Sequence, residues 1–109
     1  MAGELAAVTD ETFAAEVFQS DKPVLVDFWG LACPSCFRLK PLVTELAGEY
    51  ARQVRVLMAD IEENRATAED LGVMALPTLI LFRGGVEAGR LRGIATKGEL
   101  RAAMEEWLG

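Results

Sequence analysis

The stretch Val24-Leu25-Val26-Asp27-Phe28-Trp29-Gly30-Leu31-Ala32-Cys33-Pro34-Ser35-Cys36 decides the reading of this chain. It begins, after Pro23, as an apolar and partly β-branched run broken by a single acid. Short length and near-continuous hydrophobicity are the marks of a strand covered on both faces. From Pro34 to Tyr50, Leu39, Leu42, Val43, Leu46 and Ala47 recur three and four residues apart, which predicts an amphipathic helix with a kink at Pro41. A Cys-x-x-Cys pair therefore falls between a central strand and the start of a long helix, the setting in which such a pair reads as redox-active.

The local chemistry gives the two thiols different roles. A residue before proline is pushed out of the helical region, which suits an N-cap, and proline is favoured at the first helical position. Cys33 is thus placed at the positive end of the helix, where free backbone N–H groups and the dipole stabilise a thiolate, and it is the expected nucleophile. Cys36, one turn further in, is placed to attack a mixed disulfide and release the product. A zinc site is the first competing use. It needs four ligands, and the chain has no His and no second Cys pair, so no metal is expected. An inert pair of small core thiols is the second, because free Cys is often simply buried. The strand and helix on either side favour the redox reading.

Asp27 is the other unusual residue. An acid inside an apolar strand is desolvated, which raises its pKa and makes it a proton carrier near neutrality, able to deprotonate Cys36. The alternative, an acid facing solvent on an alternating strand, conflicts with its apolar neighbours. Pro77, between Leu76 and Thr78, immediately precedes a strand. A cis bond there would bring backbone close to the cysteines, although trans is the commoner form. Trp29 and Trp107 read as packing residues.

Outward from this centre, a weak strand is expected around Leu5 to Val8, and Thr9-Asp10-Glu11-Thr12 opens a surface helix carrying Phe13, Val17 and Phe18. Val54 to Ala59 reads as a strand. A helix follows, with Asn64 as its N-cap and Gly72 as its C′ residue. Gly84-Gly85 between Thr78–Phe82 and Val86–Leu91 signals an antiparallel hairpin. Thr96-Lys97-Gly98-Glu99 is a capping-box pattern opening a last helix with Leu100, Met104, Trp107 and Leu108 on its apolar side. The expectation is an α/β fold, a mixed central sheet flanked by helices on both faces, forming one domain over residues 1–109.

With 11 Lys and Arg against 17 Asp and Glu, the formal charge of −6 repels nucleic acid and anionic lipid. Met1-Ala2-Gly3-Glu4-Leu5 carries no secretory pattern, and no apolar run is long enough to span a bilayer. A cytoplasmic protein is expected, and in a reducing cytosol two cysteines have a chemical job rather than a stapling one.

Val24 to Trp29, Cys33-x-x-Cys36, Pro41, Leu76-Pro77-Thr78, Gly84-Gly85 and Gly93 together resemble the thioredoxin family, over nearly the whole chain. The resemblance implies the thioredoxin fold, a buried acid at Asp27, a kinking Pro41 and a cis-proline at Pro77. It implies a protein-disulfide reductase in electron transport and cell redox homeostasis, a monomer with no cofactor of its own, re-reduced by a flavoprotein thioredoxin reductase. In that family the backbone before the cis-proline pairs with an extended substrate segment, so Leu76, with Leu31, Ala75, Gly93 and Ile94, is implied as docking surface.

The chain departs from the family's usual Trp-Cys-Gly-Pro-Cys-Lys motif, reading Ala32-Cys33-Pro34-Ser35-Cys36-Phe37, and it has Met58 where a lysine commonly faces the buried acid. Pro34 and Ser35 are the expected tuning residues. A Ser35 hydroxyl donating to the Cys33 thiolate favours a more oxidising pair, whereas loss of the lysine beside Cys36 acts the other way. Two other functions stay open on these residues. One is a disulfide oxidase or isomerase, which the Pro-Ser dipeptide favours and the lack of an export signal disfavours. The other is a non-catalytic binding module using Leu31, Leu76 and Ile94.

Overall fold

The computed structural model describes residues 5–109. The strands are β1 (Ala6–Ala7), β2 (Val24–Trp29), β3 (Arg55–Asp60), β4 (Thr78–Arg83) and β5 (Val86–Arg92). The helices are α1 (Pro34–Glu49), α2 (Arg65–Asp70) and α3 (Lys97–Leu108). The five strands form one sheet in the order β1-β3-β2-β4-β5. β3 runs parallel to β1 and β2, β4 antiparallel to β2, and β5 antiparallel to β4. This is the mixed sheet read from the sequence, with β2 at its centre and hydrogen-bonded on both edges.

Alternation along β2 divides the core in two. Val24, Val26 and Phe28 face a layer with Phe13, Val17, Leu57, Ile80 and Phe82, while Leu25 faces Leu39, Val43, Leu46, Leu81, Leu100 and Met104. Because strand side chains alternate, Asp27 and Trp29 share the face of Leu25, toward α1. Each large side chain buried in these layers contributes roughly 1.5–3 kcal/mol. Both faces of β2 are thereby filled, which is why its sequence reads as a nearly unbroken apolar run.

The surface helix expected after Thr12 forms at Ala14–Phe18 as a π-helical turn, with the Gln19 N–H donating to the Ala14 carbonyl at 3.0 Å. The wider turn brings residues five apart onto one side, so Phe13 and Phe18 both pack edge-on against Phe82, with ring centroids 6.0 and 5.6 Å away. Asn64 sits at the start of α2 but does not cap it with its side chain. Its Nδ2 donates to the carbonyls of Val8 and Asp60, each at 2.9 Å, tying the first strand's end to the sheet. The free N–H groups of Ala66 and Thr67 donate instead to the Asp10 carboxylate at 3.2 and 2.9 Å.

The hairpin and the last helix form as expected. Gly84 and Gly85 have φ of 59° and 81°, the left-handed region that a two-residue turn of this kind requires. Thr96 and Glu99 form the reciprocal capping box. Lys97 then donates to Glu45 and Glu49 of α1, each at 2.8 Å, and Arg101 also engages Glu49. Trp107 of α3 lies so close over Gly89 of β5 that a Cβ at that glycine would overlap the indole.

Candidate active site

Pro34 supplies the first residue of α1 and leaves Cys33 as its N-cap in an extended conformation, φ −119° and ψ 92°. The Cys33 sulfur accepts the backbone N–H of Cys36 at 3.2 Å, and the Ser35 hydroxyl lies 3.5 Å from the same atom. Cys33 and Cys36 are joined as a disulfide with their Cα atoms 5.3 Å apart, within the ordinary range for such a bond. Cys36 is only 3% exposed, whereas Cys33 is half-buried. Cys33 is therefore the more accessible of the two to an incoming sulfur.

A groove runs beside Cys33. Leu31, Ala32 and Ser35 form one bank, with Ile61, Glu62, Val73, Met74, Ala75 and Leu76 on the other. The Leu76-Pro77 peptide is cis, which places the buried Pro77 directly after this bank. The Thr78 hydroxyl donates to the Ala75 carbonyl at 2.6 Å, fixing the approach to the proline. Leu31, Ala75 and Leu76 thus join Cys33 around one groove. Gly93 lies beside it, its N–H donating to the Pro77 carbonyl at 2.8 Å, and Ile94 is exposed next to it, but neither lines the groove. Ile61, Glu62, Val73 and Met74 also line the groove, beyond the residues that the sequence points to. Met74 is 90% exposed. The apolar Val73-Met74 pair between Gly72 and Pro77 was the available signal.

Asp27 is fully buried, with neither carboxyl oxygen hydrogen-bonded. Its register partners are Met58 on β3 and Leu79 on β4, so both neighbouring strands present apolar side chains beside it. Burial pushes its pKa up to about 7, with the Lys40 ammonium pulling weakly the other way. Trp29 and Phe37 meet edge-on, centroids 5.9 Å apart. They border a second cleft of about 190 Å³, into which Cys36, Lys40 and Met58 also face. Among the described residues, no three His, Cys, Asp or Glu side chains cluster as a metal site, and no helix is long and apolar enough to cross a membrane.

A mixed sheet whose central strand delivers a disulfide to a helix N-terminus, beside a cis-proline and above a buried acid, defines a thiol-disulfide oxidoreductase. The thioredoxin family model matches residues 4–106. The chain is 39% identical over 103 residues to thioredoxin 1 of a Nostoc species, covering 94% of this chain and 96% of that one. It is 42% identical over 100 residues to the thioredoxin of Streptomyces clavuligerus, covering 92% of each. It is also 40% identical over 99 residues to the bifunctional thioredoxin reductase/thioredoxin of Mycobacterium leprae, covering 91% of this chain and 22% of that longer one. The chain belongs to the thioredoxin family, and it is a protein-disulfide reductase that works through the Cys33/Cys36 pair.

Proposed function

We propose that Cys33 attacks, Cys36 resolves and Asp27 moves the proton between them. The Cys33 thiolate attacks one sulfur of a substrate disulfide, forming a mixed disulfide while the other substrate sulfur leaves as a thiolate and takes up a proton. The Asp27 carboxylate accepts the Cys36 thiol proton. The Cys36 thiolate then attacks the Cys33 sulfur, forming the intramolecular disulfide, and the second substrate thiolate departs to be protonated in turn. Two electrons pass from the dithiol to the substrate. The difference in exposure between Cys33 and Cys36 is the observation that carries this division of labour.

Substrate docks as an extended segment along Leu31, Ala75 and Leu76, with the backbone before Pro77 as its pairing edge and Gly93 and Ile94 at its margin. Pro34 sets the Cys33 N-cap, and Ser35 tunes its thiolate. A flavoprotein thioredoxin reductase returns the disulfide to the dithiol, and no cofactor is assigned to this chain. The Mycobacterium leprae relative, whose name joins thioredoxin reductase and thioredoxin in one chain, supports that pairing. The protein acts in the cytoplasm as a monomer of one domain, residues 1–109. Ser35 near the Cys33 sulfur favours a second reading, an oxidase of more oxidising potential, which equilibration with glutathione separates from the first.

Insulin reduction coupled to reductase turnover tests the proposal. Cys33→Ser abolishes turnover, and Cys36→Ser accumulates a mixed disulfide with protein substrates. Turnover surviving in Cys33→Ser, or no trapped partner in Cys36→Ser, overturns the assignment.

A further inference from the structure

The proton acceptor assigned to Asp27 stands in surroundings that neither neighbouring strand makes polar. Across β3 it faces Met58 and across β4 it faces Leu79. The cation that acts on it comes from α1, which packs over that face of the sheet together with α3. Lys40 lies four residues after Cys36, so the two project from the same side of α1. Both face the cleft that Trp29, Phe37 and Met58 also border. The disulfide is thus flanked by two openings, the docking groove on the Cys33 side and this cleft on the Cys36 side. Asp60, at the end of β3, and Glu63, just beyond it, are the other charged groups at the cleft, and Asp60 accepts the backbone N–H of Glu62 at 3.0 Å. Among the described residues Lys40 takes part in no ion pair, in contrast to Lys97, which engages both Glu45 and Glu49.

We infer that Lys40 is the positioning residue of the resolving step: from the cleft beside Cys36, its ammonium group favours the carboxylate of Asp27 and steadies the charge that passes to the Cys36 sulfur. This rests on the assignment of Asp27 as the proton acceptor. When Cys36 gives its proton to Asp27, one negative charge moves from carboxylate to thiolate. A cation serving both ends favours the ionised pair without taking part in any bond that forms or breaks. The opposing pull of Lys40 on Asp27 has the sign this requires. Because the cleft shares no lining residue with the docking groove, a substrate covering Cys33 leaves Lys40 uncovered.

Stopped-flow mixing of the reduced protein with a chromogenic aryl disulfide tests this, releasing one coloured thiolate on attack by Cys33 and a second on resolution by Cys36. In Lys40→Met the pH inflection of the second release moves up by about half a unit, slowing it roughly twofold at neutral pH and about threefold well below the inflection. The first release is unchanged, and Lys40→Arg restores the second. Met58→Lys, which adds a cation opposite Asp27, moves the inflection down. Asp27→Asn separates the two assignments. If it removes the inflection while Lys40→Met leaves it unmoved, Asp27 stands and the role of Lys40 is overturned. If Asp27→Asn keeps the inflection, both fall.

Discussion

The backbone N–H of Cys36 donates to the Cys33 sulfur at 3.2 Å. That donor belongs to the helix end and survives any side-chain change, whereas the Ser35 hydroxyl 3.5 Å from the same sulfur does not. On the tuning role proposed for Ser35, part of the thiolate's stabilisation is removable by one substitution. Ser35→Ala is expected to raise the Cys33 thiol pKa by about one unit or less, read as an upward shift in the pH profile of alkylation. With the reduced form less stabilised, equilibration with glutathione shifts toward the disulfide. An unchanged alkylation profile would show that the hydroxyl does not bond the thiolate.

Asp27 makes the folded state acid-favoured. Its pKa rises from 3.8 to about 7 on folding, so between those values the folded chain holds a proton that the unfolded chain has lost. Stability consequently falls as pH rises through that interval and levels off above it, by an amount on the order of 4 kcal/mol. Asp27→Asn removes this slope. Urea unfolding should find the variant more stable than the parent at about pH 8 and no more stable at about pH 4.

Glu49 has the opposite sign. Hydrogen bonds from Arg101 and then Lys97 hold its pKa down at about 2. Its contribution is present above the unfolded carboxylate value of 4.5 and is lost as pH falls toward about 2. Glu49→Gln should lower the melting temperature slightly at neutral pH and flatten the acid limb of its pH dependence. Added salt should shrink the difference, since the network is solvent-exposed.

Asp10 caps a helix from across the fold. Its carboxylate accepts the N–H groups of Ala66 and Thr67 and also the Thr67 hydroxyl, the last at 2.7 Å. In Asp10→Ala, hydrogen exchange should quicken at Ala66 and Thr67 and leave the α1 amides unaffected, with disulfide reduction retained. Uniform quickening throughout the chain would mean that α2 does not open on its own.

Met74 offers the groove an almost fully exposed apolar side chain. Met74→Glu should raise KM for a protein disulfide roughly tenfold with kcat little changed, while the reaction with a small aryl disulfide is unaffected. Equal losses with both substrates would place the effect on the cysteines rather than on docking.

Much of this molecule was legible because local signals and tertiary demands agreed. Val24–Trp29 reads as a two-faced strand and is one, and Pro34 after Cys33 starts α1 where its geometry dictates. Gly84-Gly85 supplies the φ values that its turn requires. What escaped were relationships between distant residues. The cap of α2 lies on Asp10, 56 residues before Ala66, and the plausible local cap Asn64 is occupied elsewhere. The π-helical turn at Ala14–Phe18 packs its flanking rings on Phe82, which no window around residue 14 contains. The active site shows the same division. The cysteines and Asp27 stand out by local chemistry, while Ile61, Glu62 and Val73 line one groove with Cys33 only because the sheet brings separate segments to one end.

The fit between Gly89 and Trp107 has a further consequence, for descent rather than stability. The side chain that would have grown at one position is displaced by the indole at the other. A lineage carrying this pair can enlarge residue 89 only after residue 107 has become smaller, so the order of the two substitutions is constrained even though neither touches the disulfide.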